Sequence, residues 1–329
     1  MKLLVVGSID WTHPKSGGAE KVMKEILTRI EANEIQFLVS KHPQAPRNEE
    51  IEGIKIQRVG YNTNQANFNY PFLIKEVWKQ HKNYDKIFIN GVKFPFLPPE
   101  RIDIIHNTLN KQTFHPVIWL RTKLSLAFNI NSKAIAVSET AKKKAEKYYK
   151  EIKIIENGVD VQNFRNNLNN YENKTILFLG RMTGQKGIND LPYIAKNLPD
   201  EVQLKIAGRG SKDNIPEEIA EEHENCEYLG YVEESTKKEL LAKSHVVIMP
   251  SRHEGHPLTV LEANASGTPV IGYESDGLKE ILEESNNRVV DGRNELIEVI
   301  KTLKETESHF HTRTWDEVAK DYRCMFNDR

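Results

Sequence analysis

Residues 245–273 read HVVIMPSRHEGHPLTVLEANASGTPVIGY and alternate between two kinds of pattern. The opening HVVIM and the closing PVIGY, at 269–273, are short runs rich in β-branched residues, and such runs predict buried strands. Between them, Pro257 suits a first helical turn and Gly267 suits a helix end, so we expect a helix over about 258–266. A strand, a helix and a second strand in this order are typical of a parallel sheet flanked by helices.

The same alternation extends to both sides of this segment. Helical patterns such as 19–32 and 139–149 separate further β-rich runs. These runs are KLLVVG (2–7), QFLVS (36–40), IKIQRV (54–59), KIFIN (86–90), IDIIH (102–106), AIAVS (134–138), TILFLG (175–180), VQLKIA (202–207) and EYLG (227–230). The pattern is interrupted at RNNLNNYENK (165–174), which is rich in Asn, has no apolar periodicity and predicts a linker. We therefore expect two α/β units, with domains over 1–165 and 174–312.

Length and composition favour an ordinary globular protein. The chain has 329 residues, of which 38% are apolar, 18 are Gly and 14 are Pro. These values allow two hydrophobic cores and exclude disordered, collagen-like and low-complexity classes. The apolar runs are far shorter than the ~20 residues that cross a bilayer, and the run after Lys2 is too short for a secretory signal. We expect a cytoplasmic protein, and its two cysteines, Cys226 and Cys324, have no partners at zinc-ligand spacing.

Charge is unevenly distributed between the two halves of the chain. Residues 1–165 contain 26 Lys and Arg against 17 Asp and Glu, whereas residues 166–329 contain 20 against 30, so the halves carry +9 and −10. The basic half is expected to attract phosphate-bearing molecules or anionic lipid. The lysines between Lys142 and Lys150 fit this interpretation, and they fit a merely solvated helix face equally well. The sequence contains no nucleic-acid-binding motif, so nucleic acid is not an expected partner.

An aromatic and basic segment runs from Phe68 to Lys82. Its aromatic and basic members include Tyr70, Phe72, Lys75, Trp78 and Lys79. A short amphipathic segment of this kind can lie at a lipid surface without crossing it. One hypothesis is therefore peripheral contact with the inner face of a membrane through the basic N-terminal domain. The alternative is that Phe72 and Trp78 pack into the first domain.

Two glycine-containing loops follow predicted strands, where ligands of open parallel sheets bind. Gly17 and Gly18 precede a helical pattern, and adjacent glycines there let backbone N–H groups approach an anion. The second loop, GRMTGQKG at 180–187, carries Arg181 and Lys186, whose cations can meet a diphosphate. Each loop has an alternative interpretation, because a glycine pair often only forms a turn and exposed cations often only face water.

The predicted helix start near 258 offers an anion site beside two carboxylates. Glu254 lies before the helix, and Glu262 lies about one turn inside it. Phosphates can bind the N–H groups of Leu258 and Thr259, while a carboxylate accepts hydroxyls of the same ligand. Alternatively, Glu254 is an acid favoured by the helix dipole and Glu262 is an exposed helical acid.

An ordered set of segments resembles the retaining glycosyltransferases of family 4, which have the GT-B architecture. The segments are GGAE (17–20), His106 after a strand, AVSETAKK (136–143), IIENGVDVQNF (154–164), LGRMTGQKG (179–187), IAGRG (206–210), LGYV (229–232), EGHPLTVLE (254–262) and EANASGTPVIG (262–272). The resemblance covers nearly the whole chain. It implies an α/β fold of two Rossmann-like domains facing across a cleft, with the last helix, 313–329, packed back on the N-terminal domain.

The resemblance implies how a nucleoside-diphosphate sugar, the donor, is bound. Arg181 and Lys186 neutralise its diphosphate, and Glu262 holds its ribose hydroxyls. The other residues implied at the donor site are Gly17 and Gly18 near the diphosphate or acceptor, Leu258 and Thr259 at the helix start, and Gly208, Tyr231 and Val232 at the base.

The resemblance also implies which residues hold the transferred sugar. Glu254 binds it together with the amides of Gly255 and His256. A single His after a strand is more often structural than catalytic, but the family pattern implies that His106 contributes to the reaction centre. The catalytic set implied in this way is His106, Glu254, Arg181 and Lys186.

The implied reaction moves the sugar to a hydroxyl of a glycan or of a lipid-linked acceptor, with retention of configuration. No cofactor beyond the donor substrate is expected. No metal is expected either, because Arg181, Lys186 and the helix start face the charge that develops on the leaving oxygens. Two rival functions are a sugar-nucleotide epimerase of the same architecture, which needs no acceptor, and a non-catalytic glycosyltransferase-like subunit.

Overall fold

The structure is a computed structural model that describes residues 1–91, 96–106, 124, 132–165, 174–283, 287–302 and 313–327. The chain divides into two compact units. Unit 1 consists of Met1–Asn157 with Trp315–Arg329, and unit 2 consists of Gly158–Thr314. Most of the predicted linker, 165–174, lies outside the described residues. The segment just before it belongs to unit 2, because Val159 and Phe164 are buried in the core of that unit.

Unit 1 is built on a sheet of mostly parallel strands. The strands are β1 (Lys2–Gly7), β2 (Glu34–Ser40), β3 (Asn48–Ile51), β4 (Ile54–Val59), β5 (Lys86–Asn90), β6 (Ile102–Ile105), β7 (Lys133–Ala136) and β8 (Glu151–Ile154). They lie in the order β3-β4-β2-β1-β5-β6-β7-β8, and only the β3–β4 pair among these described strands is antiparallel. β1 is central and almost wholly apolar because both of its faces are covered.

Within the described part of unit 1, helices cover this sheet with their apolar sides inward. They are α1 (Gly18–Leu27), α2 (Tyr70–Gln80) and α3 (Glu139–Ala145). α2 buries Leu73 and Val77, which lie four positions apart and therefore on one side of the helix. The N-cap residue of α3 is Ser138, whose side-chain oxygen accepts a hydrogen bond from the N–H of Ala141 at 3.2 Å.

The C-terminal helix (Trp315–Asn327) packs on unit 1. The ring of Phe326 meets that of Phe88 edge-on at a centroid distance of 4.6 Å, and Tyr322 lies 6.3 Å from the same ring. Arg323 also contacts Glu31 at 3.2 Å. Burial of these aromatic side chains ties the end of the chain to the N-terminal sheet, which is the placement that the family resemblance implies.

A buried charged cluster closes the carboxyl edge of the unit 1 sheet. Arg58 Nε donates to Asp10 Oδ2 at 2.8 Å and its Nη1 donates to Glu49 Oε2 at 2.8 Å, and the side chains of Arg58 and Asp10 are fully buried. Burial raises the pKa of Asp10, but the hydrogen bonds from Arg58 and Thr12 outweigh it and leave the pKa below its usual value. The ring of His13 lies beside the ring of His42, which is also buried, at a centroid distance of 4.8 Å.

Unit 2 is a second α/β layer with an all-parallel sheet. Its strands are β9 (Lys174–Leu179), β10 (Val202–Ala207), β11 (Cys226–Gly230), β12 (Val246–Met249), β13 (Val270–Tyr273) and β14 (Arg288–Val290). Its helices are α4 (Gln162–Arg165), α5 (Leu191–Asn197), α6 (Asn214–Glu222), α7 (Glu234–Lys243), α8 (Leu258–Ala265), α9 (Leu278–Glu283) and α10 (Arg293–Lys301). The strand order among these is β11-β10-β9-β12-β13-β14.

The strand order of unit 2 creates a switch point between β9 and β12. The chain first moves outward from β9 through β10 to β11, and then returns to the other side of β9 with β12. The loops that follow β9 and β12 leave their strands in opposite directions, so a crevice opens at that point. The edge of the sheet beyond these two strands is therefore the place to look for a ligand site.

Within the part of the chain that the structure describes, no helix combines the length and the apolar character that a membrane span requires.

Candidate functional site

Three loops of unit 2 meet at the carboxyl edge of its sheet. They are residues 180–187 after β9, 208–212 after β10 and 250–257 after β12. Backbone hydrogen bonds tie them together, because Met182 N donates to Arg209 O at 3.2 Å and Arg252 N donates to Gln185 O at 2.8 Å. The side-chain amide of Gln185 also donates to His253 O, 68 positions later, so residues far apart in the sequence form one surface.

Two glycines permit the close approach of these loops. Gly187 has a φ of +80°, and a Cβ at this position would lie 2.1 Å from the carbonyl oxygen of Pro250. Gly208 has a φ of +132°, and its Cβ would lie 1.8 Å from the carbonyl oxygen of Gly180. A side chain at either position would both strain the backbone and push the loops apart. Gly187 of the predicted phosphate loop and Gly208 of the loop predicted to border the base thus serve packing between loops.

Lys186 and Glu254 form an ion pair across two of these loops. Lys186 Nζ lies 2.6 Å from Glu254 Oε1, and the two side chains are only 17% and 8% exposed. The backbone N–H of Glu254 donates to Asp276 O at 3.0 Å, which fixes its loop from the other side. The predicted cation of the first loop and the predicted carboxylate of the second are therefore neighbours in the fold.

The helix α8 begins directly after the Glu254 loop. Its N-cap residue is Pro257, whose side chain forms no cap hydrogen bond. The first-turn N–H groups of Leu258 and Thr259 have no partner inside the helix and carry the positive end of the helix dipole. This position suits an anion, as the sequence pattern predicts.

Glu262 lies inside α8 and contacts a second lysine. Lys237 Nζ in α7 donates to Glu262 Oε1 at 2.8 Å, and it also lies 2.9 Å from Glu234 Oε2. Glu262 is buried rather than exposed, which excludes the alternative that it is an ordinary surface acid of the helix. The sequence pattern predicts a role for Glu262 and none for Lys237, because helix α7 has no signal of its own near a strand end.

His256 and Gly255 are buried beside Glu254. Burial lowers the pKa of His256 to about 4, while the neighbouring Glu280 opposes this shift and Arg313 adds to it. The imidazole of His256 is therefore uncharged near neutral pH. His256 therefore adds no positive charge to the Glu254 loop region, whose cations are Lys186, paired with Glu254, and Arg252, paired with Asp190.

The residues predicted to border a base lie at the ends of β10 and β11. Gly208 N donates to Gly230 O at 2.7 Å, so the two loops run together. Tyr231 is exposed, and the guanidinium of Arg209 lies 4.6 Å from the centre of its ring. Val232 is half-buried next to it. An exposed aromatic ring with a cation on one face offers a stacking surface for a planar group.

Arg181 lies in the same loop as Lys186 but has a different environment. Its side chain is exposed, and the backbone on both sides is held by the Gly180 N to Ala207 O bond and the Thr183 N to Arg181 O bond. The loop therefore holds one exposed and one largely buried cation on a fixed backbone.

The predicted residues of unit 1 lie at the carboxyl edge of its own sheet. Gly17 is the N-cap residue of α1, which begins at Gly18, and its N–H donates to Glu20 Oε2 at 2.9 Å. His106 follows β6, and its Nε2 lies 2.6 Å from Asn90 Oδ1 at the end of β5. His106 thus stands directly after a strand and Gly17 directly before a helix, where the sequence pattern places them.

Comparison with known families accounts for nearly the whole length of the chain. The sequence profile of the family Glycosyl transferases group 1 matches residues 160–317, and that of Glycosyltransferase Family 4 matches residues 16–163. The chain belongs to these group 1, family 4 glycosyltransferases. Members of this family are transferase enzymes. Each profile covers nearly the same residues as one of the two units.

Individual relatives agree with this assignment. An uncharacterized glycosyltransferase of Methanocaldococcus jannaschii is 32% identical over 159 residues, which cover 42% of this chain and 40% of that protein. The phosphatidyl-myo-inositol mannosyltransferase of Mycobacterium tuberculosis is 27% identical over 255 residues, which cover 71% of this chain and 67% of that protein. The chain thus spans about two fifths of the length of the first relatives it matches.

A solved structure shows the fold. The Anabaena protein HepE, in complex with UDP and glucose, superposes with a TM-score of 0.73 at 18% identity, covering 100% of this chain and 95% of that chain. Identity at this level shows the fold alone. The two α/β units therefore have the GT-B fold, as the family resemblance implies.

Proposed function

We propose that the protein transfers a sugar from a UDP-sugar to a hydroxyl of an acceptor, with retention of configuration and without a metal ion. The observation that carries the proposal is the convergence of Lys186, Glu254 and the start of α8 at one edge of the unit 2 sheet. Uracil is the proposed base because HepE is described in complex with UDP and glucose.

The donor diphosphate is proposed to bind between the β9 loop and the start of α8. Lys186 supplies a point charge and Arg181 supplies a planar fork, and the N–H groups of Leu258 and Thr259 add the helix dipole. Since Lys186 already contacts Glu254 at 2.6 Å, a bound phosphate shares this ammonium with the carboxylate. The shared contact orients Glu254 toward the sugar that is attached to the phosphate.

The rest of the donor is proposed to extend along the same edge. Glu262 accepts hydrogen bonds from the ribose hydroxyls. The backbone of Gly208 and the residues Tyr231 and Val232 border the base. The amides of Gly255 and His256 bind the transferred sugar together with Glu254, and in unit 1 the proposal retains the roles that the resemblance implies for Gly17, Gly18 and His106.

The proposed reaction exchanges one bond at the anomeric carbon. The acceptor oxygen forms a bond to this carbon on the face from which the diphosphate leaves, and the bond from the carbon to the diphosphate oxygen breaks. The electron pair of that bond leaves with the diphosphate, and the acceptor proton passes to the leaving phosphate. Each fixed donor aimed at the leaving oxygens is worth ~3 kcal/mol of transition-state stabilisation. Arg181, Lys186 and the α8 start thus occupy the role that a metal ion has elsewhere.

A turnover assay tests the proposal against its rivals. With UDP-sugars and a panel of glycan and lipid-linked acceptors, we expect UDP release that depends on the acceptor, and a new glycoside with the donor's anomeric configuration. An epimerase converts the donor with no acceptor present, and a non-catalytic subunit releases no UDP under either condition. Chelation of divalent metal ions is expected to leave the rate unchanged. Donor conversion without acceptor, or a rate abolished by chelation, contradicts the proposal.

For the acceptor side we propose peripheral contact of unit 1 with an anionic membrane surface, which places a cytoplasmic enzyme at the inner face of the membrane. The supporting observation is a set of aromatic side chains that are 37–67% exposed around α2: Tyr61, Phe68, Phe72, Trp78 and Phe96. The side chains of Phe72 and Trp78 are 37% and 48% exposed, which supports the proposal over the alternative that they pack into the first domain. One relative is named a phosphatidyl-myo-inositol mannosyltransferase, which agrees with a lipid acceptor.

Basic residues stand among these aromatic side chains. A cavity of about 320 Å³ lies between the outer side of α2 and the β3–β4 edge, and its lining includes Arg47, Phe72, Lys75 and Lys79. Aromatic rings at the level of lipid headgroups beside cations that meet anionic headgroups are the features of an interfacial helix. The cavity is of a size to hold a headgroup phosphate.

Cosedimentation with vesicles tests the membrane proposal. Binding to anionic vesicles is expected at 0.1 M salt and is expected to fade at 1 M, because the Debye length falls from ~10 Å to ~3 Å. The double variant Lys75→Glu with Lys79→Glu should abolish it, and Lys196→Glu, an exposed position of unit 2, should not. Binding that ignores lipid charge and salt, or no binding to anionic vesicles at low salt, contradicts the proposal and favours a glycan acceptor in solution.

A further inference from the structure

The ion pair between Lys237 and Glu262 joins two helices at the candidate donor site. Lys237 lies in α7 and Glu262 in α8, and the distance from Nζ to Oε1 is 2.8 Å. The two side chains are only 14% and 7% exposed. The pair is therefore shielded from solvent more than an ordinary surface salt bridge.

A largely buried carboxylate needs a partner to remain in place. Removal of a charge from water is costly unless the charge is paired and hydrogen-bonded. For Glu262, Lys237 is such a partner. A carboxylate has about four acceptor positions, so one bond from an ammonium uses only part of its capacity. The contact is thus compatible with further hydrogen bonds from a ligand.

Lys237 is itself held by a second carboxylate. Its Nζ lies 2.9 Å from Glu234 Oε2, three positions earlier in the same helix. A lysine side chain that is anchored on both sides of its ammonium loses less freedom when a ligand binds, because its orientation is already fixed. The chain of contacts Glu234, Lys237 and Glu262 therefore forms a rigid support.

We propose that Lys237 is a positioning residue of the ribose subsite. Its ammonium holds the Glu262 carboxylate in the orientation in which that carboxylate accepts the ribose hydroxyls of the donor. Lys237 acts through Glu262 and does not contact the nucleotide. This inference rests on the proposed function, since it takes Glu262 as the ligand of the ribose.

The test compares two nucleotides that differ only in the ribose hydroxyls. Affinities for UDP and for 2′,3′-dideoxy-UDP are measured by calorimetry, and their ratio gives the penalty for losing the hydroxyls. In the wild-type protein this penalty is expected to be about tenfold or more, as for hydrogen bonds to a charged acceptor. In Glu262→Ala the penalty is expected to disappear.

Lys237→Met is expected to remove most of the same penalty. Its affinity for 2′,3′-dideoxy-UDP should stay within about twofold of wild type, because the change acts only where the hydroxyls bind. Lys237→Arg, which keeps the charge, should restore a part of the penalty. Glu234→Gln changes the more exposed partner of Lys237 and should lower the penalty only slightly. The matched control is Lys243→Met, which removes an exposed ion pair with Glu239 from the same helix and should keep the full penalty.

Three results overturn the inference in distinguishable ways. If Lys237→Met lowers the affinities for both nucleotides equally, Lys237 has only a structural role. If Lys237→Met keeps the full penalty while Glu262→Ala loses it, Lys237 has no role at the ribose and the proposed function stands. If the wild-type protein binds neither nucleotide, or binds both equally, the proposed role of Glu262 fails and the role of Lys237 fails with it.

Discussion

In unit 1, the guanidinium of Arg58 is enclosed at the end of β4 by Asp10 and Glu49, and its side chain has no exposed surface. In unit 2, the ammonium of Lys186 meets Glu254 at the end of a comparable strand, with about a sixth of its side chain in water. Both are short contacts between a cation and a carboxylate at the carboxyl edge of a parallel sheet.

The difference lies in whether a ligand can share the cation. The side chain of Arg58 has no exposed surface and both of its carboxylate partners belong to the fold, so we assign this guanidinium a structural role. Lys186 is partly exposed and its partner Glu254 lies on the loop just before α8, so the proposed site leaves its ammonium accessible to a phosphate. Partial burial, rather than charge or position after a strand, therefore distinguishes the candidate site from a structural cluster.

The largest effect is expected from Arg58→Leu. It leaves the carboxylate of Asp10 buried without its main partner, and breaking a buried pair in this way costs about 3–5 kcal/mol of unfolding free energy. Urea unfolding followed by tryptophan fluorescence measures it, because all four tryptophans fall within the ranges of unit 1. A loss below about 1 kcal/mol would show that the cluster behaves like a surface pair.

Acidification is expected to destabilise unit 1 by a similar amount. Burial, and next the neighbouring His42, lower the pKa of His13 to about 4 from 6.5. Between these values the unfolded chain binds a proton that the folded chain does not, so stability is full above pH 6.5 and falls as the pH drops toward 4. The loss for this one group is of the order of 3 kcal/mol. Urea unfolding midpoints, measured by tryptophan fluorescence between pH 7.5 and 4, should show this dependence of stability on pH. In His13→Gln the dependence should be weaker. An equal dependence in both proteins contradicts the assignment.

Lys186→Ala is expected to leave the stability of unit 1 unchanged and to lower turnover by about 100-fold. The affinity of this variant for UDP should also fall, because the ammonium binds the diphosphate. Arg181→Ala should likewise lower the affinity for UDP. Calorimetry with UDP and a turnover assay separate binding from chemistry. Unchanged diphosphate affinity in both variants would show that the β9 loop does not bind the phosphates.

The two glutamates should separate by the part of the donor that they hold. Glu262→Ala is expected to lower the affinity for UDP by about tenfold, since it removes a charged acceptor of hydrogen bonds. Glu254→Ala is expected to lower mainly the turnover with UDP-sugar, because its proposed contact is the sugar. An equal loss of UDP affinity in both variants defeats this assignment.

The smallest effect is expected from Lys279→Met. Lys279 pairs with Glu274 on the surface of unit 2, and both side chains are about half exposed. Such a pair contributes about 0.2–1 kcal/mol. Because the range of unit 2 contains no tryptophan, circular dichroism is the suitable probe of its unfolding. If Lys279→Met lowered the unfolding free energy as much as Arg58→Leu does, burial would not explain the difference between the two ion pairs.

The strands that the sequence predicts are all present, with bounds that differ by one or two residues at most. Among the strands of the described residues, those that it does not predict are β3, β8 and β14, which are three or four residues long. β3 reads NEEI and lies at the sheet edge, where an apolar pattern is not needed. Short edge strands carry too little buried surface to leave a periodic signal.

The candidate site was predictable where its residues follow strands, and not where they lie on a neighbouring helix. Arg181, Lys186 and Glu254 stand in loops at strand ends, which sequence pattern and family resemblance both indicate. Lys237 lies 25 positions before Glu262 in the middle of a polar helix, and no local spacing connects the two. Their contact arises because α7 and α8 lie next to each other in unit 2.

Sequence pattern was sufficient for the two α/β units, because strand and helix periodicity are local properties, and the family resemblance added the family and most of the charged residues of the candidate site. Burial and pairing needed the folded chain. The packing of distant segments decides that Glu254 pairs with Lys186 and that Glu262 is buried beside Lys237. It also decides that Phe72 and Trp78 are exposed. These facts are set by tertiary packing, because the free energy of a charge or an aromatic ring depends on what surrounds it and not on its neighbours in the chain.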